Sequence, residues 1–383
     1  MEACFTTIRN LFTELKEYRA FELLRTNYHR VQYILTNQAR IIAMTCTHAA
    51  IARQRLMEAD FQYDTLVIEE AGQIVELETF IPFVLQKGSR LKRVILLGDP
   101  NQLPPIVQNP AVQQAGYDQS LFSRFIRLGV PAIQLDAQGR CRASLASLFA
   151  WRYPHLSNLP HVAEMTTANA CLRYESQCVD CPGEGKEVQP HVYQNPGEAS
   201  YIVAFYQYLR LCGYRADQIT VLTTYNGQRE LLVELMNEHC KKNPVFGMPA
   251  KITTVDKYQG QQNDIVLLSL VRSKSVGYLR DCRRMVVAVS RARLGLYVFC
   301  NTELFSKCFE LKPIFDLLLQ RPSKLQLVEN ECVPCERRVD EDVKEFEVMD
   351  GNHMMQIVYH YYETMRKMEV EEDWGVCFDE MRC

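Results

Sequence analysis

Apolar residues recur at helical spacing near the start of the chain, at Phe5, Ile8, Leu11, Phe12 and Leu15, which predicts an amphipathic helix within the first forty residues. Four short apolar runs follow, RIIAMTC at 40–46, TLVIEE at 65–70, RVILLGD at 93–99 and AIQLDAQ at 132–138. Their Ile, Leu and Val density, without polar alternation, predicts strands of a parallel sheet covered on both faces. Residues 176–197, SQCVDCPGEGKEVQPHVYQNPG, are rich in Gly, Pro and charge and predict a linker or domain crossing. The pattern then restarts with a helix at 201–211, a strand at 219–225, a helix at 227–240 and strands at 264–272 and 295–300. The expected architecture is α/β, with two doubly wound parallel-sheet domains at 1–180 and 181–320. An acidic tail at 321–383 carries one further amphipathic helix, marked by Met354, Ile357, Val358, Tyr361, Met365 and Met368.

Composition narrows this little. The 383 residues are 47% hydrophobic and 23% charged, as in an ordinary globular protein. A formal charge of −3 argues against a uniformly basic nucleic-acid binder. No apolar run approaches the roughly 18 residues that a membrane helix needs. Charge distribution says more: residues 251–300 carry nine Lys/Arg against three Asp/Glu, a net +6, whereas 339–383 carry four against thirteen, a net −9. The cationic stretch suits a polyanion. Fifteen cysteines are scattered, with two CxxC pairs, Cys178/Cys181 and Cys332/Cys335, too far apart to form a short-spaced zinc motif. They are expected to be reduced loop cysteines.

Candidate chemistry sits at the ends of the predicted strands. The first of the two carboxylate-bearing runs, VIEEAGQ at 67–73, ends in Glu69 and Glu70, where paired acids can hold Mg²⁺ or activate water, or can simply favour the start of a helix. The run GDPNQLPP at 98–105 places Asp99 and Gln102 before a Pro-stiffened segment. Arg140 and Arg142 follow the 132–138 run, and Arg291 and Arg293 precede the 295–300 strand. Arginine suits forked contact with phosphate oxygens, although any of these could instead solvate a surface.

The set, in order, resembles the superfamily-1 helicases, in the branch that includes the nonsense-mediated-decay helicase and a spliceosomal, intron-binding RNA helicase. The carrying motifs are VIEEAGQ, GDPNQLPP, QGRCR at 138–142, TTYNGQ at 223–228, TTVDKYQGQQND at 253–264 and VAVSRAR at 287–293. The resemblance runs from about residue 5 to about 320. It implies two RecA-like domains of P-loop NTPase type, ATP and Mg²⁺ as cofactors, and RNA (intron or pre-mRNA) and spliceosomal proteins as partners in the nucleus. It also implies residue roles. Glu69 would ligand Mg²⁺, Glu70 would act as general base, and Gln102, with Asp99 in the same motif, would sense the γ-phosphate. Arg140 and Arg291 would be arginine fingers. Gln259 and Gly260 would couple the nucleotide to the RNA path, and Thr45, Thr47, Thr223 and Thr253 would touch the RNA backbone. Glu69 stands where the family usually has Asp, and its extra methylene moves the carboxylate by roughly 1.5 Å.

One part of the family pattern is missing. The phosphate-cradling GxxxxGK[ST] loop should precede the first carboxylates, yet the first glycine of the chain is Gly72. The only later approximation, GEGKE at 183–187, lacks the spacing and the Ser/Thr. The first RecA-like domain is therefore expected to be incomplete, with Met1 corresponding to an interior point of a longer family protein. Two readings remain open: the ATP-dependent RNA helicase of the parent protein, with the isolated chain inactive, and a non-catalytic helicase-like interaction module. A DNA helicase of the same superfamily is a third, weaker fit.

Overall fold

The computed structural model describes residues 2–23, 26–85, 90–107, 109–181, 183–339 and 341–380. Two compact units result, 1–133 and 134–383.

In the first unit the helix Glu2–Leu23 forms where the periodicity places it, but Phe5, Ile8, Leu11, Phe12 and Leu15 are all exposed. Strands β1 (Thr65–Ile68) and β2 (Arg93–Leu96) pair in parallel, Thr65 opposite Arg93 and Ile68 opposite Leu96. The crossover between them contains the helix Glu76–Phe83. Two of the four predicted strands fail. Residues 41–45 join no ladder, and of the 132–138 run only Ala137–Gln138 pairs, with Ser157–Asn158. A strand exists only where a neighbour completes its hydrogen bonds, and neither run has one along its length. The chain passes from one unit to the other within the second of these runs, where Ile133 and Leu135 are exposed.

The second unit contains a five-stranded, all-parallel sheet. Its strands are β3 (Ser176–Asp180), β4 (Ile219–Thr223), β5 (Lys251–Thr254), β6 (Asn263–Ser269) and β7 (Ala292–Cys300), in the spatial order β3-β7-β6-β4-β5. Ile265, Leu267, Tyr297 and Phe299 join one core cluster with the helices Pro196–Leu211 and Asn226–His239, while Val266, Leu268 and Val298 between them are equally buried. Helices Ala143–Ala150 and Lys312–Leu318 pack on β7 and β3. Alternate side chains are thus buried throughout, as in a sheet covered on both faces.

Three expectations change here. The 176–197 stretch is no linker: it opens with the buried strand β3 and continues into a hairpin, Lys186–Gln189 against Val192–Gln194. The compact second unit begins at 134. Cys178 is accordingly a strand residue, its Sγ 3.4 Å from that of Cys300 on β7. Nor is the acidic end an appendage. In the helix Gly351–Glu380, Met354 and Val358 are buried in the core cluster, and Tyr361 stacks edge-on against Tyr208 of the 196–211 helix at 5.6 Å. Met368 lies outside the described side chains.

Candidate functional site

The carboxylates of the first unit stand at the tip of β1. Glu69 is exposed and Glu70 half-buried. Glu70 has φ +52° and ψ +36°, a left-handed conformation uncommon for a side-chain-bearing residue, and accepts a 2.9 Å hydrogen bond from Gln73 Nε2. The adjacent tip of β2 carries Asp99, whose Oδ1 accepts from the Asn101 amide and whose Oδ2 accepts from Gln102 Nε2, each at 2.8 Å. The two tips touch: the Ala71 amide donates to Leu97 O at 2.8 Å, and a Cβ on Gly98 would meet the Gly72 nitrogen at 2.9 Å. Glycine at 98 is what lets the acidic turn and the Asp99–Gln102 turn lie side by side. The structure thus brings Glu69, Glu70, Asp99 and Gln102 to one edge of a two-stranded sheet. Carboxylate oxygens are the donor chemistry that Mg²⁺ takes, but among the described residues no group of three or more His, Cys, Asp or Glu side chains gathers to hold a metal ion.

Thr45 and Thr47 lie elsewhere in this unit, both exposed at the start of the helix Cys46–Glu58. Thr45 Oγ1 caps it by accepting from the His48 amide at 3.0 Å.

In the second unit the arginines converge at the amino ends of β6 and β7. Arg140 donates through Nε to Gln262 Oε1 at 2.7 Å and through Nη1 to Ser290 O at 3.3 Å. Its turn is organised by Gln138, whose Oε1 accepts from the Arg140 and Cys141 amides. Arg291 is only 1% exposed, and its three guanidinium nitrogens donate to Val287 O, Gln261 O and Ser290 Oγ. The loop with Gln259 and Gly260 (φ +75°) leads directly into these acceptors, so this loop and both arginines share one place. Arg142 is different: buried and paired with Glu175 at 3.3 Å, it anchors the fold. Arg293 pairs with Asp264 at 3.0 Å. Thr223 and Thr253 are buried at the opposite, carboxyl ends of β4 and β5. It is their successors, Thr224 and Thr254, that line an open cavity there.

Sequence reasoning assigned no role to Gln138, Gln262 or Ser290, although all three lie inside motifs already marked. The signal available was their position within a motif; their hydrogen bonds needed the fold.

Two family models, both described as AAA domain, match residues 9–110 and 117–303. The chain is 49% identical to the RNA helicase aquarius of Mus musculus over 392 aligned positions, covering 96% of this chain and 26% of that protein. It is 30% identical to the pre-mRNA-splicing factor cwf11 of Schizosaccharomyces pombe, covering 91% of this chain and 28% of that one. A regulator of nonsense transcripts 1 homologue of Arabidopsis thaliana is 29% identical, with 74% and 23% covered. The chain therefore spans about a quarter of the length of these relatives. The parallel sheet, the paired AAA-domain matches and the ordered motifs agree on a RecA-like, P-loop NTPase fold, and the chain belongs to the superfamily-1 helicases, in the branch of the regulator of nonsense transcripts.

Proposed function

We propose that this chain is the motor segment of an ATP-dependent RNA helicase acting in pre-mRNA splicing in the nucleus. The observation that carries the reading is the convergence of Arg140 and Arg291 on Ser290 and the 259–262 loop, two guanidinium groups gathered where phosphate charge is to be met. Similarity to a named RNA helicase and a named splicing factor supports the substrate and the process.

Within the first unit, the carboxylate edge has oxygen donors of the chemistry that a Mg²⁺ ion takes. Glu69 would ligate Mg²⁺, which supplies charge neutralisation along the triphosphate, and Glu70 would take the proton of the attacking water. Gln102, held by Asp99, would report on the γ-phosphate. Arg140 is the readier finger, since it must release only Gln262 and one carbonyl. Arg291 must break three bonds and leave a buried niche. No GxxxxGK[ST] loop occurs among the 383 residues, so the phosphate cradle is assigned to another segment of the working protein. That same absence, together with the satisfied Arg291, favours the second reading, a non-catalytic RNA-binding module.

Fluorescence anisotropy with single-stranded RNA between about 50 and 200 mM salt tests the RNA assignment, because phosphate contacts make affinity fall with salt. No binding, or tight binding indifferent to salt, overturns it. Steady-state phosphate release with saturating RNA is expected at background. A turnover of about 1 s⁻¹ or more that vanishes in Glu70→Gln would show that this chain holds the triphosphate unaided.

A further inference from the structure

Residues 326–339 form a strap that returns over the turn at 166–172. Leu327 bridges Leu172 and Arg338 bridges Thr167 in antiparallel fashion, and the amides of Ala168 and Val339 donate to Arg337 O and Thr166 O at 2.7 and 3.0 Å. One ion pair draws the middle of the strap inward. Arg337 Nε donates to Glu331 Oε1 at 2.6 Å with both side chains largely buried, and Arg337 Nη2 donates to Leu172 O at 2.8 Å. Between the two partners lies the sequence CVPC, residues 332–335. It is pinned in turn, since the Val333 amide donates to Cys212 O at 2.9 Å.

Four reduced thiols gather here, Cys332 and Cys335 on the strap and Cys171 and Cys212 beneath it. Cys171 is buried at φ +62°, the left-handed region that few side-chain-bearing residues enter. Glu331 holds it there twice: the Cys171 amide donates to Glu331 Oε2 and the Cys171 thiol to Glu331 O, each at 2.8 Å. The same Oε2 accepts from the Cys335 thiol at 4.0 Å. Cys171 and Cys335 therefore converge on one carboxylate, although 164 positions separate them in the chain. Cys335 is only half-buried, within reach of a dissolved reagent. Cys212 lies beside Cys171 but is buried, and burial together with the Cys171 thiol pushes its own thiol well above the ordinary value. A backbone outlier held by a buried ion pair directly under an accessible thiol marks a place where the fold has been strained to bring two sulfurs together.

We propose that Cys335 and Cys171 form a reversible disulfide, with glutathione disulfide as the oxidant, and that this bond latches the strap to the 166–172 turn. The Cys335 thiolate attacks one sulfur of the oxidant, forming a mixed disulfide and releasing one glutathione thiolate. The Cys171 thiolate then attacks Cys335 Sγ, so that the bond to glutathione breaks, the Cys171–Cys335 bond forms and the second glutathione leaves. Two protein thiols are oxidised, one glutathione disulfide is reduced, and the two protons end on the two glutathiones. The groups facing Cys335 set the pace. Burial pushes its thiol above the ordinary value of 9.0, helped by the Glu331 carboxylate and the Cys171 thiol and opposed by the amide and guanidinium of Arg337. The thiolate that reacts is therefore scarce at neutral pH, and the latch closes faster as pH rises through 9. In a reducing compartment the pair rests open, and a bond of this kind is transient.

The test is incubation of the 383-residue chain with excess glutathione disulfide at pH 7 and pH 9, alkylation of the remaining thiols, and mapping of unreduced peptides by mass spectrometry. A Cys171–Cys335 peptide pair is expected, reversed by dithiothreitol and formed at least about tenfold faster at the higher pH. The latched chain should melt roughly 5–10 °C above the reduced one, because closing a long loop restricts the unfolded state. Cys171→Gly separates the thiol from the fold: glycine accepts φ +62° and keeps the amide bond to Glu331, so the reduced variant should melt normally while the crosslink and the melting shift are lost. Cys332→Ser should leave the crosslink in place. A Cys332–Cys335 bond instead assigns the chemistry to the CVPC motif alone and overturns the latch. So does a Cys171–Cys212 bond, a Cys335–glutathione adduct that goes no further, or a pair that stays reduced at pH 9. Neither RNA nor nucleotide enters the test, so its failure and that of the helicase reading are separate.

Discussion

Strands β1 and β6 read alike in sequence, TLVI and NDIVLLS, yet they live in different surroundings. In β6, Ile265, Val266, Leu267 and Leu268 are each 0% exposed. In the first unit, Val67 is 53% exposed, and Val94, Ile95 and Leu97 on and after β2 are 40–50% exposed. The difference is one of company rather than propensity. Strand β6 has parallel neighbours on both sides and buried alternate side chains, whereas among the described residues β1 and β2 pair only with each other. Both strand ends nevertheless carry ordered chemistry. An ordered acidic edge can therefore be shaped by a local turn packing, Gly98 against Gly72, even where the sheet behind it leaves apolar surface exposed.

The contrast can be broken by substitution. Leu267→Ala should cost about 2–5 kcal/mol, as cavity-forming changes in a packed core do, read from urea unfolding of the second unit. Glu198 comes next. Burial lifts its carboxyl from an ordinary value of 4.5 to about 8. The folded state thus keeps a proton that the unfolded state has lost between those values, so stability is full below about 4.5 and falls as pH rises towards about 8. The loss is at most about 1.4 kcal/mol per pH unit. Glu198→Gln should flatten that slope, and an unchanged slope would assign it to other groups. Arg291→Ala should cost about 1–3 kcal/mol, because it strands two carbonyls and a hydroxyl in a buried niche. An unaltered melting temperature would instead show that its bonds are dispensable to the fold. Smallest of all, Val67→Ala should lie within about 0.5 kcal/mol. A penalty of a kcal/mol or more would mean that β1 is covered in solution.

How much was legible follows from the same contrast. Three of the five sheet strands of the second unit, β4, β6 and β7, and the helices at 196–211 and 226–239 could be read because their apolar runs are long and their turn residues explicit. The runs at 40–46 and 132–138 were misread because apolarity says that a segment would tolerate burial, not that a neighbour exists to bury it. The 176–197 stretch was misread the other way: its glycines and prolines begin at Pro182, and the five strand residues before them were absorbed into the same label. The motifs that carry Glu69, Glu70, Arg140 and Arg291 were legible in the sequence through their order along the chain. The meeting of Cys171 with Cys335 was not, since two cysteines 164 residues apart carry no spacing signal. The phosphate cradle's absence was readable from glycine positions alone.

The helix Gly351–Glu380 has a consequence for how the protein comes into being. Its Met354 and Val358 complete a core whose strands and helices all precede them in the chain. During synthesis, the apolar flank of the 196–211 helix, including Tyr201 and Tyr208, must wait in water until some 150 further residues have been made. A ribosome that stalls between 320 and 350 would release a sheet that is fully paired but has one flank unsealed, a form that chaperones are built to notice.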